Sequence, residues 1–221
     1  MKDGGRRYHH GDLPAALVAA GLELARSGGG EAIGLREVTR VVGVTPNAAY
    51  RHFADRHALV LAVAARAQQE LASAMATRMA DADSEPDPGL RARRRLRAVG
   101  LAYISFAIDE PGWFRLAFFT PDRSTDADGA TGHADAPPYR TLLAALDDLV
   151  VAGVLPADRR TNAEWACWSA VHGLSELATR GPLQGQPAGV VEQVAEYVVD
   201  CAIEGILAER AASDSDGSPD G

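Results

Sequence analysis

Residues 35–53 read LREVTRVVGVTPNAAYRHF, and how this stretch folds decides the architecture. Leu35, Val38, Val41 and Val42 fall on one side of a short helix that Gly43 stops. Thr45-Pro46 starts another, with threonine as N-cap and proline at the first helical position, where an N–H has no partner in any case. That second helix ends near His52-Phe53. Glycine permits the positive φ of a sharp turn, and Val42 and Val44 beside it pin the two helices together through the core. Upstream, Asp12 caps a helix over roughly residues 13–26, in which Leu13, Leu17, Ala20 and Leu24 recur at helical spacing and Ser27-Gly28-Gly29-Gly30 ends the run. Three short helices with a tight turn before the last form the pattern of a helix-turn-helix.

In that arrangement the third helix enters the major groove with its N-terminal end leading. Thr45, Pro46, Asn47 and Ala48 then stand nearest the base edges, while Tyr50, Arg51 and His52 offer donors to phosphates. Asparagine reads adenine bidentately, and a small alanine fits against a thymine methyl. Spacing alone serves a second reading equally well, a small helical subdomain with a polar surface helix.

Outward from this stretch the chain reads as helix nearly throughout, an all-α fold. Asp55 caps a long helix carrying Leu59, Val60, Val63, Ala64, Ala67, Leu71 and Met75 at spacings of three and four, fading between Asp81 and Gly89. Leu90 to Asp109 follows, its start crowded by Arg91, Arg93, Arg94, Arg95 and Arg97; the reading preferred for this basic run is a solvated face paired with acidic neighbours. Pro111-Gly112 breaks the chain ahead of Trp113 to Phe119. A mobile loop is expected over residues 120–138, helices over Tyr139–Ala152, Asn162–Arg180 and Pro187–Ala211, and a polar acidic tail from Ser213. The expected domains are a helix-turn-helix domain over residues 1–56, a helical-bundle regulatory and dimerisation domain over 57–211, and a disordered tail over 212–221.

Charge divides along the same line. The 221 residues carry a net charge of −8, yet residues 1–56 hold eight Lys or Arg against six Asp or Glu, and the remainder fourteen against twenty-four. Only the first quarter suits a polyanion. No apolar run approaches the ~18 residues of a membrane span, and Met1 to Gly11 lacks a signal-peptide core, so the expected compartment is the cytoplasm. Cys167 and Cys201 are too few for a disulfide scaffold and lack zinc-like spacing; two buried thiols are expected, with no metal and no cofactor.

Tyr8-His9-His10-Gly11-Asp12-Leu13, Leu35-Arg36-Glu37-Val38, Gly43 through Phe53, and Asp55-Arg56 with Leu59 together resemble the DNA-binding domain of TetR-family transcriptional regulators. The resemblance implies that Thr45, Tyr50 and His52 hold phosphates, that Pro46, Asn47 and Ala48 face bases, and that Arg51 lies at the groove edge. Arg56 stands where the family usually has lysine, keeping the charge and adding a fork suited to phosphate. Gly34 replaces the usual Thr or Ser opening of helix two, Thr39 and Val42 replace small alanines, and Ala49 replaces a larger aliphatic. Lys2, Arg6 and Arg7 precede helix one as an arm with two readings, a reach to DNA and a solubilising role, of which the second is preferred.

The second half is similar to the subgroup bearing a Trp…His-Gly signature, here Trp168 to Gly173, preceded by Tyr103, Phe106, Pro111, Phe114 and Phe118. The resemblance implies a helical bundle that holds a small molecule and dimerises through its last two long helices. The ligand-binding candidates are Phe106, Trp113, Phe114, Phe118, Trp165, Trp168, Ser169 and His172. By helical rotation Trp165, Ser169, His172 and Glu176 share one face, and Cys167, Val171, Leu174 and Ala178 another. Ser169, His172 and Glu176 superficially suggest a catalytic triplet, but side chains projecting from one regular helix seldom aim at a common atom, and the chain is read as no enzyme. The function expected is an effector-responsive regulator, a repressor that binds a palindromic operator as a homodimer. The alternative is a small-molecule-binding helical protein that has lost operator recognition.

Overall fold

The computed structural model describes residues 12–119 and 135–208, and among these residues every regular element is helical. The Tyr8–Gly11 part of the family motif, the basic arm, most of the expected 120–138 loop and the acidic tail lie outside the described residues. No helix of the described residues is long and apolar enough to cross a membrane.

Helix α1 (Leu13–Gly28) starts where Asp12 accepts the Ala15 N–H at 3.2 Å, and a single 3₁₀ turn, Gly29–Ala32, follows it. Helices α2 (Leu35–Val42) and α3 (Pro46–Tyr50) flank Gly43, whose φ of 79° and ψ of 31° place it in the left-handed region that glycine enters without strain. Its N–H and that of Val44 both donate to the Thr39 carbonyl, at 2.9 and 3.0 Å, closing the helix end. Thr45 occupies the N-cap position of α3, but its side chain makes no capping bond, a departure from the expected cap; proline at N1 alone fixes the start. Helix α3 is also shorter than expected, since its regular part ends at Tyr50.

Asp55 caps α4 (Arg56–Ala80) through the Ala58 N–H at 2.8 Å, and Leu59, Val63, Ala67, Leu71 and Met75 form its buried stripe. Asp87 likewise caps α5 (Pro88–Asp109), the central helix, which packs against α4, α7 (Pro137–Val151), α8 (Ala163–Arg180) and α9 (Ala188–Leu207). Its arginines pair outward as the charge reading expects: Arg94 with Glu85, Arg95 with Asp83 and Asp148, Arg97 with Glu196 and Asp200, and Arg93 with Glu204. Arg159 closes the far end of α9 by donating to the carbonyls of Ile206, Leu207 and Ala208, a cation at a helix C-terminus.

The run from Trp113 folds as α6 (Pro111–Phe119), apolar on nearly every side and wedged against α1 and α4. Cysteine burial requires a correction. Cys167 is buried between α8 and its neighbours, and burial pushes its thiol up to about 11. Cys201 is exposed, because the inward stripe of α9 is Val191, Ala195, Val199, Ile203 and Ile206, and position 201 falls outside it.

Candidate nucleic-acid interface and regulatory core

Helix α3 is held from one side only. Ala49 is 0% exposed and packs with Leu35, Val38 and Phe53 in the buried core, so the remaining residues of α3 face outward. Thr45, Pro46, Asn47, Arg51 and His52 are exposed, Tyr50 is 55% exposed, and Ala48 is half-buried. Among the described residues none of the side chains of Thr45, Asn47, Tyr50, Arg51 or His52 makes a hydrogen bond or an ion pair with the rest of the protein. Such a row of unengaged donors and acceptors is what a groove-reading helix needs. The Thr39 substitution is accommodated within α2: the hydroxyl of this buried residue donates to the Leu35 carbonyl at 2.8 Å and lies 3.0 Å from that of Arg36. Gly34 provides no side-chain cap, and its carbonyl takes the Val38 N–H.

Arg56, the remaining candidate for phosphate, is engaged differently. Its Nε donates to the Ile33 carbonyl at 2.7 Å and its Nη2 to those of Gly30 at 2.7 Å and Glu31 at 3.4 Å.

In the second half, Phe114, Phe118, Trp168 and His172 meet in one cluster whose hub is Tyr103. Tyr103 is buried among Phe114, Phe118 and Trp168 at centroid distances of 5.6, 5.6 and 5.3 Å, and its hydroxyl lies 2.7 Å from His172 Nδ1. Burial, with Glu176 adding its negative charge, holds that phenol well above its ordinary pKa, so it stays a neutral partner of the imidazole. The sequence reading did not nominate Tyr103, Phe119 or Tyr139. Phe119 packs 5.7 Å from His172, and Tyr139 lies 5.5 Å from Trp168. Phe106 and Trp113 pair with each other at 6.3 Å, apart from these rings, while Trp165 is 56% exposed and Ser169 is exposed.

The face of α8 that turns inward is Cys167, Val171 and Leu174. With Met75, Gly100, Tyr103, Trp168 and Val199, Cys167 and Val171 line an apolar cavity of about 20 Å³, room for a single water-sized body. Ser169, His172 and Glu176 do not converge: Ser169 faces solvent, the imidazole meets Tyr103, and Glu176 pairs with Arg180, which sits 4.8 Å over the Phe119 ring.

Trp113 joins the two regions. Its indole N–H donates to the Leu22 carbonyl of α1 at 2.7 Å, the Arg26 guanidinium lies 4.5 Å over its ring, and Arg26 Nε bonds Glu110 at 2.8 Å. Gly112 lets the helices touch, since a Cβ there would stand 2.2 Å from the Ala25 carbonyl oxygen. Gln68 of α4 donates to the Ala117 carbonyl at 2.9 Å, so α6 is bonded to both α1 and α4.

Comparison with known proteins matches two segments of the chain. Residues 17–63 match the model of bacterial regulatory proteins of the tetR family, and residues 96–202 match the model of the tetracyclin repressor-like C-terminal domain. A solved protein of unknown function from Rhodococcus sp. RHA1 is 25% identical and superposes with a TM-score of 0.71, over 92% of this chain and 100% of that one. A tetR-family regulatory protein from Rhodococcus RHA1 shares the fold at 20% identity and a TM-score of 0.59, covering 89% and 98%. A TetR-family transcription regulator from Marinobacter aquaeolei VT8 does so at 17% and 0.56, covering 89% and 96%. No match was found among curated protein sequences. Both matched segments occur in order on a fold with the helix-turn-helix at one end and the helical bundle after it, and the chain belongs to the TetR family of DNA-binding transcriptional regulators.

Proposed function

We propose that the protein is an effector-responsive repressor that binds a partly palindromic operator as a homodimer. The observation that carries this reading is the outward face of α3, anchored by Ala49 while Asn47, Tyr50, Arg51 and His52 remain unengaged. In this reading Pro46, Asn47 and Ala48 meet bases, and Thr45, Tyr50, Arg51 and His52 meet phosphates and the groove edge. Two-fold protein symmetry demands a matching two-fold site, with reader helices about 34–36 Å apart or at a related spacing. Supporting the dimer, α8 and α9 leave Trp165, Leu177, Val190 and Tyr197 exposed. Residues 1–56 form the DNA-binding domain in this proposal and residues 57–211 the regulatory and dimerisation domain.

The effector enters beside the ring cluster of Tyr103, Phe114, Phe118, Trp168 and His172. A cavity of about 20 Å³ is far below the ~300 Å³ of a ligand pocket, so binding requires these rings to part. Because α6 carries two of the rings and is bonded to α1 and α4, parting them moves the DNA-binding domain. By linkage, an effector that weakens operator binding binds the DNA-free form more tightly by the same factor. Selection of random duplexes on the purified protein, followed by sequencing and mobility-shift titration, tests the reading. A recovered palindrome, held by wild type and released by Arg51→Ala, is expected. Absence of any selective retention would favour a ligand-binding protein without an operator.

A further inference from the structure

We infer that Arg56 is a positioning residue for DNA recognition, strapping the start of α4 to the 3₁₀ turn on which α6 rests, and that it is not a phosphate ligand. This inference rests on the DNA-binding reading above. Resemblance placed a cation at this position against DNA, but the guanidinium is turned toward its own chain. Nε and Nη2, two donors on one edge of the fork, span the carbonyls of Ile33, Gly30 and Glu31. Those carbonyls belong to the turn and the residue just after it, and α2 begins only two residues beyond Ile33. Ile33 is wholly buried, so its backbone cannot drift without disturbing the core beneath the reader helix.

The other side of the same turn bears on the regulatory half. A methyl group on Gly29 would stand 3.4 Å from the Arg115 guanidinium, and one on Gly30 would stand 3.3 Å from the Leu116 Cδ1. The turn therefore lies between α6 and Arg56. Displacement of α6 reaches it directly, and the strap passes that displacement to the first residue of α4 and to the entry of α2. Lysine reproduces the strap only in part, because the donors of an ammonium diverge from a single nitrogen, whereas Nε and Nη2 of the guanidinium are held apart in a rigid plane. Nη1 makes none of these bonds, and a phosphate held by it is the competing account.

Salt dependence separates the two. Full-length wild type, Arg56→Lys and Arg56→Gln are titrated with the duplex recovered by selection and with an unrelated duplex of equal length, across a series of salt concentrations. A phosphate ligand makes Arg56→Lys behave like wild type, while Arg56→Gln lowers the salt slope by about one. A positioning residue makes both variants lose about tenfold on the selected site, leaves the unrelated duplex within about twofold, and keeps the slope of wild type. The second pattern is expected. A wild-type-like lysine variant, a slope reduced by one, an equal loss on both duplexes, or no loss at all overturns the inference; an equal loss with a lowered melting temperature marks a purely structural arginine. Arg56→Lys keeps charge and stem and so serves as the variant least disturbing to folding. If wild type retains no duplex, the DNA-binding reading fails first and Arg56 falls with it.

Discussion

The outward face of α3 and the ring cluster among α5, α6 and α8 differ in how far their polar groups are already engaged. On α3 one buried alanine holds the helix and the polar side chains make no bonds within the protein. In the cluster, Tyr103 and His172 bond each other, and five rings surround the imidazole at centroid distances of 5.6 to 6.3 Å. Under the proposed function, the first surface binds by adding contacts to a fixed scaffold, and the second admits a ligand only by exchanging contacts it already has, which is the condition for a bound molecule to alter shape. Substitutions in the cluster should therefore register in stability, and substitutions on α3 in DNA affinity alone.

The largest effect is expected at Phe114, wholly buried and packed against Tyr103, Phe118, Phe119 and His172. Phe114→Ala should cost about 3–5 kcal/mol in urea unfolding, with a shifted midpoint. Gly112→Ala breaks the division itself, because it drives a methyl into the α1 backbone at the seam between the regions. It should cost about 1–3 kcal/mol of stability and also weaken operator binding, measured by melting and by mobility shift on the same preparation. Asn47→Ala should weaken operator binding about tenfold, or ~1.4 kcal/mol, and relax selectivity at one base position, with the melting temperature unmoved. The smallest effect belongs to Tyr103→Phe, which removes the hydroxyl from His172 Nδ1. It should cost about 1 kcal/mol of stability and leave effector-free DNA affinity unchanged. A change in DNA affinity with that variant would show that the ring cluster already tunes the reader without a ligand.

How much of this was legible in sequence follows from which signals are local. Asp12 and Asp55 announce their helices because a cap acts within three residues, and Gly43 announces the turn because its requirement is its own φ. Helix α6 was not recognised, since Trp113 to Phe119 is apolar almost without interruption and offers no polar side to set a period. Periodicity grouped Trp165, Ser169, His172 and Glu176 correctly as one side of α8. It carried no information on which neighbours cover that side, and α5 and α6 reach only its His172 end, leaving Trp165 and Ser169 at the surface. Tyr103 belongs to the signature stretch, but its place at the centre of the cluster is not legible there because its phenol finds its partner sixty-nine residues away. Cys201 and Arg56 have the same explanation: exposure and carbonyl partners are decided by tertiary placement, which a lone thiol or a basic side chain does not reveal.

The arginine row on α5 has an electrical consequence for the whole molecule. Of five cations clustered in sequence, Arg93, Arg94, Arg95 and Arg97 end on carboxylates, and Arg91 donates to the Glu85 carbonyl. The acidic excess therefore stays with the second part of the chain, where residues 57–221 hold fourteen Lys or Arg against twenty-four Asp or Glu. Electrostatic repulsion of a duplex by that part should weaken as added salt shortens the screening length, while the helix-turn-helix segment is spared it.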